Sequence, residues 1–137
     1  MVEHQVRTSL LILLEALRTG DLSRLEVAIH PATYWAFPGK SQFAGQYAGP
    51  QACAQFITAR RSASSQKFQL FGDDIGITPF HGVLMFAVRS RLGDQDLTSH
   101  EILVAGYGED HLAGIHHYIY ELDAFDAFWT PRGKGGS

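Results

Sequence analysis

The chain changes its repeat once, near Ser65, and that change limits the folds open to it. Before that point apolar residues recur at helical spacing. Val6, Leu10, Leu13, Leu14 and Leu17 fall three and four apart, which predicts a helix from Val2 to Thr19 that Gly20 ends. Asp21 is expected to cap a short second helix, Leu22 to Ile29, stopped by Pro31. "TYWAF" reads as a short strand. A third helix opens at Gly49-Pro50, with proline at its favoured first position. It carries Ala52, Cys53, Phe56 and Ile57 on one side and fades in "RRSASS". Beyond Ser65 the segments "KFQLFGDDIGI", "HGVLMFAVRSRLG", "DLTSHEILVAGY" and "LAGIHHYIYEL" all read as strands. Gly72-Asp73-Asp74, Gly93 to Asp96 and Gly108-Glu109-Asp110 supply turn signals between them. Long strands joined by short links pair antiparallel. "DAFDAFW" closes the pattern as a helical turn or an aromatic clasp. The expected fold is α+β: a cone-like curved antiparallel sheet wrapped over the N-terminal helices and enclosing a pocket at its open end.

At 137 residues the chain makes one domain large enough to bury a core unaided. Its net charge of -3 comes with no basic block, the largest cluster being Arg60-Arg61 with Lys67 nearby. That pattern argues against nucleic acid or an anionic membrane as the main partner. Cys53 is the single cysteine, so no internal disulfide forms, which fits a reducing, cytoplasmic setting. The apolar run from Leu10 to Leu14 is far shorter than a membrane span, and no signal peptide is expected. Residues 130–137 read as a flexible tail, leaving residues 10–129 as the domain.

"WAFPGKSQFAGQYAGPQACAQF" is the most heavily punctuated stretch. Trp35 and Phe37 alternate on a strand and share a face. Pro38 ends the pairing because it cannot donate to the ladder. Gly39, Gly45 and Gly49 permit backbone angles other residues resist. The loop is then free to fold over a pocket mouth with Phe43 and Tyr47 as apolar plugs, or it is a plain turn with aromatic packing.

These features together resemble the nuclear-transport-factor-2-like superfamily, and within it the SnoaL-like and ketosteroid-isomerase-like group. "ALRTGDLSRLEVAIHPATYW" is similar to the family's helix, short helix and first-strand passage. The stretch from Trp35 to Phe56 is similar to its W-x-x-P-G and A-G-x-Y-x-G pattern. "DLTSHEILV" resembles the strand that often carries a histidine, and "YELDAFDAFW" the closing segment. The resemblance runs from about Leu10 to Trp129. It implies a homodimer packing through the outer sheet face and a small hydrophobic molecule as partner. The group holds isomerases, cyclases, hydrolases and proteins without assigned chemistry. In detail this chain departs from it. "WAFPG" has no carboxylate where the steroid isomerases place their base, and His100 or Glu101 stands where their oxyanion acid would lie. Glu101 is the nearest carboxylate to the aspartate of the SnoaL-like cyclases. Arg89 is followed two places on by Arg91, not by the aspartate of the epoxide hydrolases.

The candidate chemistry lies in polar residues on apolar strands. With Gly106 opposite His111, His100 faces His117 beside Ile102 and Ile115, and Glu101 faces His116 beside Leu103 and Tyr118. The His100 face is expected to be the concave one. A histidine in an apolar hollow titrates lower than usual and serves as acid or base near neutrality. The alternatives are a core histidine bonded to a neighbour and an interface histidine. His100 is the expected general acid-base, with Glu101 and His117 tuning it. Tyr34, Tyr47, Tyr118 and Tyr120 offer hydroxyls to a carbonyl or enolate oxygen. Trp35, Phe37, Phe43, Phe56 and Ile102 are expected to line the site with Tyr34, Tyr47 and Tyr118. His116 and His117 alternate faces and cannot clamp one metal, so neither a metal nor another cofactor is expected. The expected activity is a cofactor-independent isomerase or cyclase for a small hydrophobic carbonyl compound, polyketide- or terpenoid-like. The rivals are a non-catalytic binding protein of the same fold and a plain dimerisation module.

Overall fold

A computed structural model of the chain describes residues 1–64 and 68–130. Lys67 and residues 131–137 of the expected tail lie outside the described residues. Helices α1 (Glu3–Thr19) and α2 (Leu25–Ala28) are followed by two short strands, β1 (Tyr34–Phe37) and β2 (Gly45–Ala48), and then by helix α3 (Gly49–Ala63). Four long strands follow: β3 (Phe68–Ile77), β4 (His81–Leu92), β5 (Gln95–Tyr107) and β6 (Leu112–Ile119). Helix α4 (Leu122–Trp129) comes after them. The single open sheet has the order β2-β1-β6-β5-β4-β3. All its pairs are antiparallel except β1 with β6, so the sheet is mixed, and that parallel pair ties the early segment to the late one. Among the described residues no helix is long and apolar enough to cross a membrane.

α1 forms because its apolar positions make one stripe. Val6, Leu10, Leu13 and Leu17 are fully buried, and Gly20 ends the helix at φ +82°. The helix lies directly on β4. A Cβ at Gly82 would meet Val6 Cγ1 at 2.8 Å, so the bare glycine is what allows this close approach. α2 is a single turn, shorter than its pattern suggested. The Asp21 carboxylate caps the Ser23 N–H (3.0 Å) in a local turn and starts no helix there.

One turn signal and one hairpin register resolve differently from the sequence reading. Gly72 and Asp73 lie inside β3, where the register with β4 shifts between Phe71 and Asp74. They form a bulge, with Gly72 at φ +67°. The real β3–β4 turn is held by the Thr78 hydroxyl, which accepts from the N–H groups of Phe80 (3.2 Å) and His81 (2.9 Å). At the other end of the sheet, Tyr107 pairs with Leu112, and the ladder shifts between Ala105 and Tyr107. Leu103 therefore faces His117 and Glu101 faces Ile119.

α4 packs against β5 and β6, with Phe125 beside Phe37 and Phe43. Phe125 is fully buried and Trp129 nearly so. The loop between β1 and β2 is fastened to α4. The Asp126 carboxylate accepts from the backbone N–H of Lys40 (3.0 Å) and of Ser41 (3.2 Å). Gly39, at φ +91°, makes that approach possible, since a Cβ there would lie 2.5 Å from Asp126 Oδ1. Gly39→Ala is expected to lower stability by about 1–3 kcal/mol in urea denaturation. In an Asp126→Ala background the same change costs less, because the clash with the carboxylate is gone and only Leu122 Cδ1 (2.9 Å) and the positive φ still oppose it.

Candidate functional site

The concave face holds a closed polar network. Arg60 on α3 meets Glu101 on β5 through both guanidinium nitrogens: Nη1 donates to Oε1 at 2.6 Å and Nη2 donates to Oε2. The Ser99 hydroxyl donates to Oε2 at 2.6 Å, and His117 Nε2 on β6 lies 2.7 Å from Oε1. Each carboxylate oxygen thus takes two donors, the full capacity of its lone pairs. The Trp35 indole N–H lies 3.1 Å from His117 Nδ1. An indole only donates, so Nδ1 carries no proton, and Nε2–H must donate to Glu101. His117 is therefore held neutral with both nitrogens satisfied.

Electrostatics agree with this geometry. Burial pushes the His117 imidazole below its ordinary value, and the bond and charge of Glu101 only partly restore it. Burial would push the Glu101 carboxyl up. The Arg60 charge, with the hydrogen bonds from His117 and Arg60, overrides burial and holds it well below the usual carboxylate range. Glu101 and His117 are 1% and 2% exposed. The Arg60 guanidinium lies 5.2 Å from the Phe37 ring centroid, 5.3 Å from Phe125 and 5.4 Å from Phe68. Arg60 Nε is buried without a hydrogen-bond partner, but the lone pairs of Glu101 and His117 are all engaged, so none is left to take a substrate proton.

Most residues expected to line a pocket are packed here as core. Trp35, Phe37, Phe43 and Phe56 are buried. Phe43 packs edge-on against Trp129 at 5.3 Å, while Tyr47 stacks on Phe56 at 4.6 Å and donates its hydroxyl to the Phe43 carbonyl at 2.6 Å. The expected plugs are thus wall, not lid. Tyr34 lies on the outer face, its hydroxyl 3.1 Å from His116 Nε2.

His100 is where the sequence reading needs correction. It points to the outer face, opposite to Glu101 and His117. The expected register placed the hairpin loop at Tyr107 to Asp110. The real pairing starts two residues further along β5, which alone would leave every face unchanged. The bulge at Gly106 adds one residue, and a shift by one exchanges the faces. Ile102 moves with it and joins Tyr118 on the outer side.

That outer face carries an open groove of about 930 Å³. Two cross-strand rows form its floor. Phe71, Ala87 and His100 are successive partners across β3, β4 and β5, and Tyr120 continues the row, its N–H donating to the His100 carbonyl at 2.9 Å. Asp74, Met85, Ile102 and Tyr118 form the second row. Ala87 makes the floor low beside His100. The Glu121 carboxylate accepts from the His100 backbone N–H (2.8 Å) and lies 2.5 Å from His100 Nδ1. Burial would push Glu121 up, but the His100 backbone and ring donors outweigh it and hold the carboxyl below its ordinary value. The groove thus gathers His100, Ile102 and Tyr118 from the expected set and adds Glu121.

No family model matches the sequence, and no curated protein matches it. Solved structures do match. Bal32a, from a soil-derived mobile gene cassette, superposes with a TM-score of 0.83 at 18% identity, over 93% of this chain and 98% of that one. A nuclear-transport-factor-2-like protein from Burkholderia xenovorans LB400 gives 0.72 at 15% identity, over 96% and 99%. The fold is nuclear-transport-factor-2-like. A candidate SnoaL-like polyketide cyclase from Jannaschia sp. CCS1 shares this fold, with a TM-score of 0.70 at 12% identity over 96% of both chains. At these identities the likeness concerns the nuclear-transport-factor-2-like fold alone.

Sequence reasoning missed three residues of these clusters. Arg60 looked like half of a surface basic pair, yet it stands four after Phe56 and three after Ile57, on the buried stripe of α3. Ser99 shares the inward parity of Glu101. Nothing in the sequence marks Glu121, because its role depends on where β6 stops.

Arg60→Met leaves Glu101 buried without its cation and is expected to cost about 3–5 kcal/mol in denaturant unfolding. Acid should weaken the fold in two stages. His117 has a lowered folded pKa, so below about pH 6.5 the unfolded chain binds a proton the native core refuses, and stability falls with pH. Glu101, also lowered, extends that loss below about pH 4.5. The melting temperature should drop between pH 7.5 and 5.5, and His117→Gln should flatten that first stage.

Proposed function

We propose that this protein binds a small, neutral, largely apolar carbonyl compound in the outer groove and isomerises or cyclises it by proton transfer. The observation that carries the reading is His100 standing in a groove floored by Met85, Ile102 and Tyr118 and braced by a carboxylate. The imidazole takes a proton from carbon next to the carbonyl, leaving an enolate. A tyrosine hydroxyl, from Tyr118 or Tyr120, donates to the enolate oxygen. His100 then returns the proton to a different carbon, so the product has the mass of the substrate and no cofactor is consumed. The fold shared with a candidate polyketide cyclase supports this reading. The saturated interior network argues against Glu101 or His117 as the proton carrier. A cytoplasmic setting belongs to the proposal and suits the single, buried Cys53.

A second reading has its own observation. Phe71, Met85, Ile102, Tyr118 and Tyr120 are large, exposed and all on this face. On that reading the face seats a second copy, as the family resemblance implies.

The test uses a β,γ-unsaturated cyclic ketone as probe, with amide resonances and isomer formation followed by NMR. Shifts at Met85, Ile102 and Tyr118, with conversion that falls about 100-fold or more in His100→Ala, support catalysis in the groove. Shifts confined to Phe37, Phe56 and His117 would move the ligand inside and end the outer-groove reading. No shift at all, together with a dimer in sedimentation that Ile102→Arg dissociates, would favour the second copy.

A further inference from the structure

The ladder between β5 and β6 ends at the Glu101–Ile119 pair. One step further, the chain of β6 turns into α4. The His100 carbonyl still finds the Tyr120 N–H, but the His100 N–H has lost its strand partner. Glu121, the residue that opens α4, fills the gap. Its own carbonyl accepts from the Phe125 N–H (2.8 Å) as the helix starts, and its side chain swings back over the end of β5. One carboxylate oxygen takes the backbone N–H of His100, and the other lies at its Nδ1. The backbone bond fixes the carboxylate where the ring must meet it.

An ionised carboxylate only accepts. Nδ1 therefore carries the ring proton, and the lone pair of the neutral imidazole lies on Nε2, which has no partner among the described residues. We infer that Glu121 is a positioning residue: it locks His100 in the Nδ1–H tautomer and presents Nε2 to the groove as the base. This rests on the reading of the groove as a proton-transfer site. It also narrows the substrate class. The acidic groups of the groove are Glu121, Asp74 and the internally neutralised Glu101, and its other titratable groups are His100, Tyr118 and Tyr120. The lining holds the Glu121 and Asp74 carboxylates and no lysine or arginine, the nearby Arg89 guanidinium standing 6.0 Å from the Phe71 ring centroid, so neutral carbonyl compounds are favoured over carboxylates and phosphates.

Nitrogen-15 spectra of histidine-labelled protein test the tautomer directly, with His100→Gln to assign the signals. In the wild type above neutral pH, His100 is expected in the Nδ1–H form, against the Nε2–H form that an unconstrained imidazole favours. Glu121→Gln and Glu121→Ala are expected to return the ring to the Nε2–H form. They should lower kcat for the ketone probe about 10-fold or more with little change in KM. Glu121→Asp should restore part of both if its shorter arm still reaches Nδ1. A wild-type ring in the Nε2–H form overturns the inference, as does a ring whose tautomer ignores both Glu121 variants. If the tautomer behaves as expected and the probe is never converted, the positioning stands and the proton-transfer function falls.

Discussion

The Arg60–Glu101 pair is the constraint around which the interior is arranged. Two charges withdrawn from water have to find partners: here every lone pair of the carboxylate is taken, while Arg60 Nε keeps only the aromatic faces around it. The guanidinium and Ser99 supply three donors to the carboxylate and His117 supplies the fourth. Three aromatic faces then enclose the cation. A pair this dry is not automatically stabilising relative to an apolar core. What it does impose is relative position. α3, β5, β6 and β1 meet at one point through groups whose bonding angles and donor directions leave little freedom. The single tautomer permitted to His117 follows from the one-way chemistry of the Trp35 indole.

With the interior saturated, the chemistry still available lies on the other side of the sheet. The contrast between the two histidines shows how environment decides role. His117 has both nitrogens engaged and almost no surface. His100 has one nitrogen held by a carboxylate and the other facing a groove. The same pairing of imidazole with carboxylate builds a strut on the concave face and a candidate base on the outer one.

Much of the fold was legible because it rests on local periodicity. The stripe on α1, the proline at the start of α3 and the four long strands needed no tertiary information. The site was less legible, for reasons that can be named. Strand faces depend on register, and register here turns on one bulge at Gly106 that no turn motif marks. Gly72 and Asp73 resemble a turn because bulges and turns both use glycine with positive φ. Arg60 was hidden by a neighbour, Arg61, whose guanidinium instead reaches the exposed carbonyl end of α1 at Leu17 and Arg18 (2.7 Å each). Glu121 was hidden because its value comes from the place where a neighbouring strand runs out.

The parallel pairing of β1 with β6 has a consequence for how the chain reaches this state. The Trp35–His117 and Tyr34–His116 contacts join residues 82 positions apart, and the loop after β1 is fastened by Asp126 from further still. During synthesis β1, β2 and α3 emerge long before the strand and helix that complete them. Until β5 leaves the ribosome Arg60 has no anion, and until β6 and α4 follow, Trp35, Phe37 and Phe43 lack their packing partners His117, Phe125 and Trp129. The parallel closure of β1 on β6 is therefore a late, non-local event, while the β1–β2 pairing is local.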